Sequence, residues 1–184
     1  TDEVAEECME KIFIPTMNAM NAENRTFKGV LYFGLMKTAD GVKVIEYNCR
    51  FGDPETQVVL PRLKSDLCEI FNAVIDQRLD EIDIEWNDDA CVCVVMASGG
   101  YPKNYEKGYK IDGIKQAESL GALVFHAGTK RSDNDILTNG GRVLGVTALG
   151  DNLEDAIQKA YKYVDLVNFK NAHFRKDIGI KKEI

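Results

Sequence analysis

Glu46, Asn48 and Arg50 alternate along Val44-Ile45-Glu46-Tyr47-Asn48-Cys49-Arg50, just ahead of Phe51-Gly52-Asp53-Pro54-Glu55-Thr56-Gln57. The first of these runs is apolar enough to be a strand, and strand residues point alternately to two faces. Glu46 and Asn48 therefore share a face, with Cα atoms about 6.7 Å apart. A carboxylate and an amide oxygen so placed can close on one hard cation. Magnesium suits them, because it takes oxygen ligands and completes its shell with water and phosphate oxygens. The planar fork of Arg50 fits carboxylate or phosphate oxygens bidentately. Gly52 lets the turn approach a ligand closely, and Asp53-Pro54 reads as an N-cap followed by proline at the first helical position. A metal pair, a fixed cation and a helix start in so short a span form a phosphate-handling layout.

Each residue also has a plainer reading. Glu46 could be a solvated residue on an outer face, Asn48 the start of a turn, and Arg50 the partner of Asp53. The set argues otherwise. Glu46 continues the apolar stretch Val42-Lys43-Val44-Ile45, and Glu46, Arg50, Asp53 and Glu55 crowd the turn with charge. Charges beside a buried strand are costly unless paired or metal-bound, and such clusters mark functional sites.

The run Glu46-Tyr47-Asn48-Cys49-Arg50-Phe51-Gly52-Asp53-Pro54-Glu55-Thr56-Gln57 resembles the signature of glycinamide ribonucleotide synthetase, also called phosphoribosylamine–glycine ligase. Other segments follow in that family's order: Gly29–Met36, Lys64–Leu67, Ala97-Ser98-Gly99-Gly100-Tyr101-Pro102, Val124–Lys130, Thr138–Leu144 and Phe174–Gly179. The resemblance spans essentially the whole chain. It implies an α+β fold: the C-terminal part of an ATP-grasp domain, an antiparallel sheet with helices, then a small β-rich, barrel- or sandwich-like domain with a closing helix. It also implies a ligase that joins glycine to 5-phosphoribosylamine at the expense of ATP, through a glycyl phosphate, in de novo purine synthesis.

By the same resemblance, Glu46 and Asn48 hold Mg2+ or Mn2+, Arg50 stabilises the transferring phosphoryl group, and Gly52, Asp53 and Glu55 contact substrate. ATP is the co-substrate. The preceding strand offers Tyr32, Gly34 and Met36, so this chain brings at most one carboxylate and one amide to the metal. The family carries a Rossmann-like substrate domain and the adenine-binding part of the ATP-grasp domain upstream. No GxGxxG or GxxxxGK[ST] loop occurs here. The chain is thus expected to be the C-terminal portion of such an enzyme, to need the missing N-terminal part as its partner, and to be inactive alone. The alternatives are another ATP-grasp carboxylate–amine ligase, or a non-catalytic binding or assembly module.

The composition fits this reading. With 184 residues and 45% apolar content the chain can build a real core. A formal net charge of −7 argues against a nucleic-acid surface, which needs a basic stripe. No apolar run is long enough for a membrane span and no signal peptide is evident, so a cytoplasmic protein is expected. The five cysteines form no CxxC pair. They read as reduced thiols, with Cys91 and Cys93 expected to face opposite ways and stay unbonded.

Coarse periodicity supplies the positioning elements. Val4, Cys8, Ile12 and Phe13 form a helical stripe that Pro15 should kink or end. Residues 27–36 and 42–48 read as strands joined at Asp40-Gly41, a helix starts near Pro54 and breaks at Pro61, and 65–77 is a second helix. Residues 1–79 form the expected ATP-grasp part, 80–89 a linker and 90–184 the C-terminal domain. In the last, strands are expected at 90–97, 108–111, 122–126 and 142–149. A helix over 152–168 should start at a capping box of Asp151 and Glu154. His126 reads as a satisfied, half-buried histidine, and Ser98–Pro102 as a glycine-rich turn.

Overall fold

The computed structural model describes residues 1–180; the last four positions of the expected 90–184 domain lie outside the described residues. The chain divides into two compact units, Thr1–Gly52 with Ser65–Ile84 and Asp53–Lys64 with Glu85–Ile184.

In the first unit, helix α1 (Asp2–Cys8) runs through a π-helical segment (Met9–Phe13) into α2 (Ile14–Ala22), burying Cys8 and Ile12. Pro15 does not end the helix. It lacks an N–H and its ring crowds the carbonyl one turn back, and the wider π turn lies where that crowding falls. Strands β1 (Tyr32–Thr38) and β2 (Gly41–Asn48) pair antiparallel as a hairpin. Thr38 Oγ1 stabilises its turn, donating to Gly41 O at 2.8 Å and accepting from Asp40 N at 3.2 Å. Phe13 packs at a tilt on Phe33, and Phe33 meets Tyr47 edge-to-face, with centroids 4.5 and 5.3 Å apart, tying one hairpin face to the helix. Helix α4 (Leu67–Asp76) is capped by Asp66, whose carboxylate accepts from Cys68 N at 2.7 Å. It ends at Gln77, which is left-handed. Its apolar stripe is half open, with Phe71 and Ile75 exposed.

In the second unit, short helix α3 (Thr56–Val59) precedes strand β3 (Ala90–Ala97). Within 80–89, Glu85 O accepts from Lys64 N, Asn87 N donates to Arg62 O, and Trp86 bridges Leu63. Strand β7 (Arg142–Gly150) lies between β3 and β4 (Leu123–His126), both antiparallel to it. As the central strand it is covered on both faces. That is why Val143, Leu144, Val146 and Ala148 are all buried without alternation. Helix α6 (Leu153–Val164) lays Ala156, Ala160 and Val164 on this sheet. Gly150 permits the close approach, because a Cβ there would strike the Ala156 backbone.

Of the expected barrel- or sandwich-like forms, no closed barrel is present among the described residues. Closure requires the first and last strands to pair, whereas the order β3-β7-β4 leaves an open sheet. The helix start lies one residue on from the expected place, and the capping box is incomplete: Asn152 is the N-cap and accepts from Asp155 N at 3.0 Å, while Asp155 accepts from Asp151 N at 3.1 Å. The strand expected at 108–111 is reduced to a bridge from Lys110 to Leu137. Helix α5 (Ile114–Ser119) and the hairpin β5 (Thr129–Ser132)–β6 (Asp135–Thr138) carry too little periodicity to be read from sequence. Cys91 and Cys93 are unbonded, but they do not face opposite ways. Residues two apart on a strand share a face, and burial pushes the Cys91 thiol up to about 11.

Candidate metal site and signature turn

Glu46 and Asn48 project from one face of β2, and Asn48 Nδ2 donates to Glu46 Oε1 at 3.2 Å. That bond uses an amide N–H, so the amide oxygen keeps its acceptor capacity beside the carboxylate. The intervening Tyr47 turns to the other face, where it meets Phe33. The strand is not buried as its apolar letters imply. Ile45 is 63% exposed, Tyr47 is half exposed, and Glu46 itself faces solvent. The desolvation argument for Glu46 therefore fails, and what remains is the convergence of two oxygen-bearing groups on an open face.

The placement of Glu46 depends on a bulge. From the turn, pairing runs Thr38 to Gly41 and on to Leu35 with Val44, then slips so that Gly34 faces Glu46. Ile45 is the extra residue, and bulges of this kind re-aim side chains. Without the slip Glu46 would face Phe33, on the face packed against the helix.

Two hard oxygen donors fit magnesium or manganese better than a soft-ligand metal. Among the described residues no group of three or more His, Cys, Asp or Glu could hold a metal ion. The pair by itself would thus be at most a partial ligand set. Arg50 is exposed, and its guanidinium donates to Phe51 O at 3.0 Å. Gly52 is buried.

The signature continues in the second unit, with Asp53 and Glu55. Asp53 is not an N-cap. Its carboxylate pairs with Arg142 at 3.0 Å and accepts from Gln57 Nε2 at 2.6 Å, so Arg142, not Arg50, is its cationic partner. The N-cap position of the four-residue α3 falls to Glu55, whose side chain makes no capping hydrogen bond. So short a helix adds little dipole at its start. Gln57 Oε1 is buried without a hydrogen-bond partner in a small recess lined by Asp53, Arg142 and Gly145. Neither Arg142 nor Gln57 stands out by sequence spacing. Arg142 lies 89 positions from Asp53, and only the return of β7 brings them together.

The remaining conspicuous residues are structural. His126 Nδ1 lies 3.0 Å from Thr129 Oγ1, and the ring is exposed, not half-buried. Ser98 is buried, donating its N–H to Gly141 O at 2.7 Å and its hydroxyl to Gly140 O at 2.8 Å. The Ser98–Pro102 segment is the turn it was expected to be.

Comparison with known proteins bears on both units. The model of the phosphoribosylglycinamide synthetase ATP-grasp (A) domain matches residues 1–56, and that of the phosphoribosylglycinamide synthetase C domain matches residues 91–181. A phosphoribosylamine–glycine ligase of Halalkalibacterium halodurans is 49% identical over 181 residues, covering 98% of this chain and 42% of the relative. The trifunctional purine biosynthetic protein adenosine-3 of Gallus gallus is 52% identical over 173 residues, 94% of this chain and 17% of that protein. The crystal structure of phosphoribosylamine–glycine ligase from Thermotoga maritima superposes with a TM-score of 0.74 at 32% identity, over 96% of this chain and 42% of that one. The chain spans less than half the length of each of these relatives.

Proposed function

Because the chain belongs to the phosphoribosylglycinamide synthetase family, we propose that it supplies the metal strand and C domain of an ATP-dependent carboxylate–amine ligase. The substrates are glycine, 5-phosphoribosylamine and ATP. A carboxylate oxygen of glycine attacks the γ-phosphorus of ATP, ADP leaves, and a glycyl phosphate forms. The amine of phosphoribosylamine then attacks the acyl carbon, phosphate departs, and an amide bond is made.

Glu46 and Asn48 hold a divalent ion, Mg2+ or Mn2+. When bound, such an ion would supply positive charge that offsets the negative charge of phosphoryl transfer. Arg50 is the catalytic cation, placed by the turn to stabilise the transferring phosphoryl group. Gly52, Asp53 and Glu55 contact substrate, with Asp53 oriented by Arg142. We assign residues 1–79 to the C-terminal part of the ATP-grasp domain, 80–89 to the linker and 90–184 to the C-terminal domain. The nucleotide-binding half comes from polypeptide of the kind its relatives carry upstream, and the enzyme works in the cytoplasm. Among the described residues, no helix is long and apolar enough to cross a membrane.

The observation that supports this reading is the convergence of Glu46 and Asn48 on one solvent-open face. The test is Glu46→Ala in the full-length ligase that carries this segment. Glycine- and phosphoribosylamine-dependent ADP release should fall by at least about 100-fold, the scale of losing one electrostatic group in the transition state, with the melting temperature unchanged. Wild-type turnover in that variant removes the metal assignment.

A further inference from the structure

Gly34 stands directly opposite Glu46 in the hairpin, at the last paired position before the register slips. Cross-strand partners present their side chains on the same face, with Cβ atoms about 4.5–5.5 Å apart. Glu46 does not stand up from the sheet beside a neighbour. Its side chain lies over the space that a residue at position 34 would fill, so a Cβ on Gly34 would come to 2.8 Å from Glu46 Cγ and 3.6 Å from Oε1. The φ of Gly34 is not in the left-handed region, so backbone conformation does not demand glycine there. Glycine inside a strand weakens it and commonly marks a close approach. The approach here is made by the carboxylate side chain that Asn48 holds at 3.2 Å.

We propose that Gly34 is a positioning residue for the divalent ion: its missing side chain gives Glu46 the one rotamer that meets Asn48. The bulge at Ile45 and the glycine at 34 act together. The bulge turns Glu46 away from the Phe33 face, and the glycine lets it lie flat toward Asn48. This inference rests on the metal role proposed for Glu46 and Asn48.

A methyl group at position 34 is relieved most easily by rotation of Glu46 about χ1, since Cγ, the atom it meets, moves with that torsion. The strand pairing survives, and the carboxylate leaves Asn48. Loss of a group that orients a metal ligand typically weakens metal binding 10–100-fold.

The experiment is a double-mutant cycle in the full-length ligase with Gly34→Ala, Glu46→Ala and both changes together. Mn2+ binding in the presence of ADP is read by electron paramagnetic resonance, and thermal unfolding in parallel. Gly34→Ala should raise the Mn2+ dissociation constant about 10-fold or more while keeping a cooperative transition. On the Glu46→Ala background, where no Cγ remains to collide, it should leave Mn2+ binding unchanged and the melting temperature unchanged or slightly raised, as expected for replacing a strand glycine by alanine. If Glu46→Ala weakens Mn2+ binding and Gly34→Ala leaves it unchanged, the positioning role is overturned and the metal reading stands. If Glu46→Ala itself leaves Mn2+ binding unchanged, the metal reading fails and the inference falls with it. Should Gly34→Ala unfold the protein, the cycle still decides. Rescue of folding by Glu46→Ala supports the contact, and equal loss of folding on both backgrounds overturns it.

Discussion

The carboxylates of the signature turn differ in what engages them. Glu46 is held by an uncharged amide, a contact that leaves its charge for a cation. Asp53 is held by a guanidinium and a second amide, so its charge is already partly answered. Both members of the Asp53–Arg142 pair are about half exposed, with side-chain accessibilities of 47% and 48%. Water and salt screen such pairs, and exposed ion pairs contribute about 0–1 kcal/mol. Arg142→Met should therefore lower stability by no more than about 1 kcal/mol in urea denaturation, with the difference shrinking at molar salt. A larger, salt-insensitive loss would mean that the pair supports the recess around Gln57. At this scale the sequence exposed Glu46, Asn48, Arg50 and Asp53, because type and spacing carry the chemistry. It hid Gly34 and Arg142, because their contributions are a space and a contact across strands.

At the level of elements, alternation read correctly where one face packs and the other does not, as in β2 around Tyr47. It read the wrong burial there because apolar letters do not say how much else covers them. The central strand β7 is the converse: continuous apolar sequence and continuous burial agree, since β3 and β4 flank it and other elements cover both faces. Leu144 is fully buried on this strand. Replacing a buried leucine by alanine loses its transfer free energy and leaves a cavity, at about 2–5 kcal/mol. Leu144→Ala should cost that much in urea denaturation, and a cost below about 1 kcal/mol would show that the site collapses around the smaller side chain. Pro15 teaches a different lesson. Its covalent geometry forbids a regular α-turn, yet the helix continues, because a π turn just ahead of it relieves the clash, and Cys8 and Ile12 are buried on that N-terminal side.

For the whole molecule, the two compact units divide the signature between Gly52 and Asp53. Glu46, Asn48 and Arg50 belong to one unit, Asp53 and Glu55 to the other. On the proposed reading, two donors are too few for a divalent ion that takes six or more oxygen ligands, so water and nucleotide phosphates would have to supply the rest. The 184-residue chain alone should therefore show no glycine- and phosphoribosylamine-dependent ATP hydrolysis above background. Sustained turnover by this polypeptide would refute the proposal that its nucleotide-binding half lies elsewhere.

By itself the amino-acid order nominated the groups that could do chemistry, and determined the hairpin with its Asp40-Gly41 turn, the strand at 90–97 and the closing helix. These follow from covalent type and short-range periodicity, which a linear string records directly. Tertiary structure alone decided that the second sheet stays open, that Asp53 answers to Arg142, and that Glu46 faces Gly34 and not Phe33. Each of those turns on strand order or a one-residue slip in pairing. Such choices are made by packing between distant segments, and the string does not contain them.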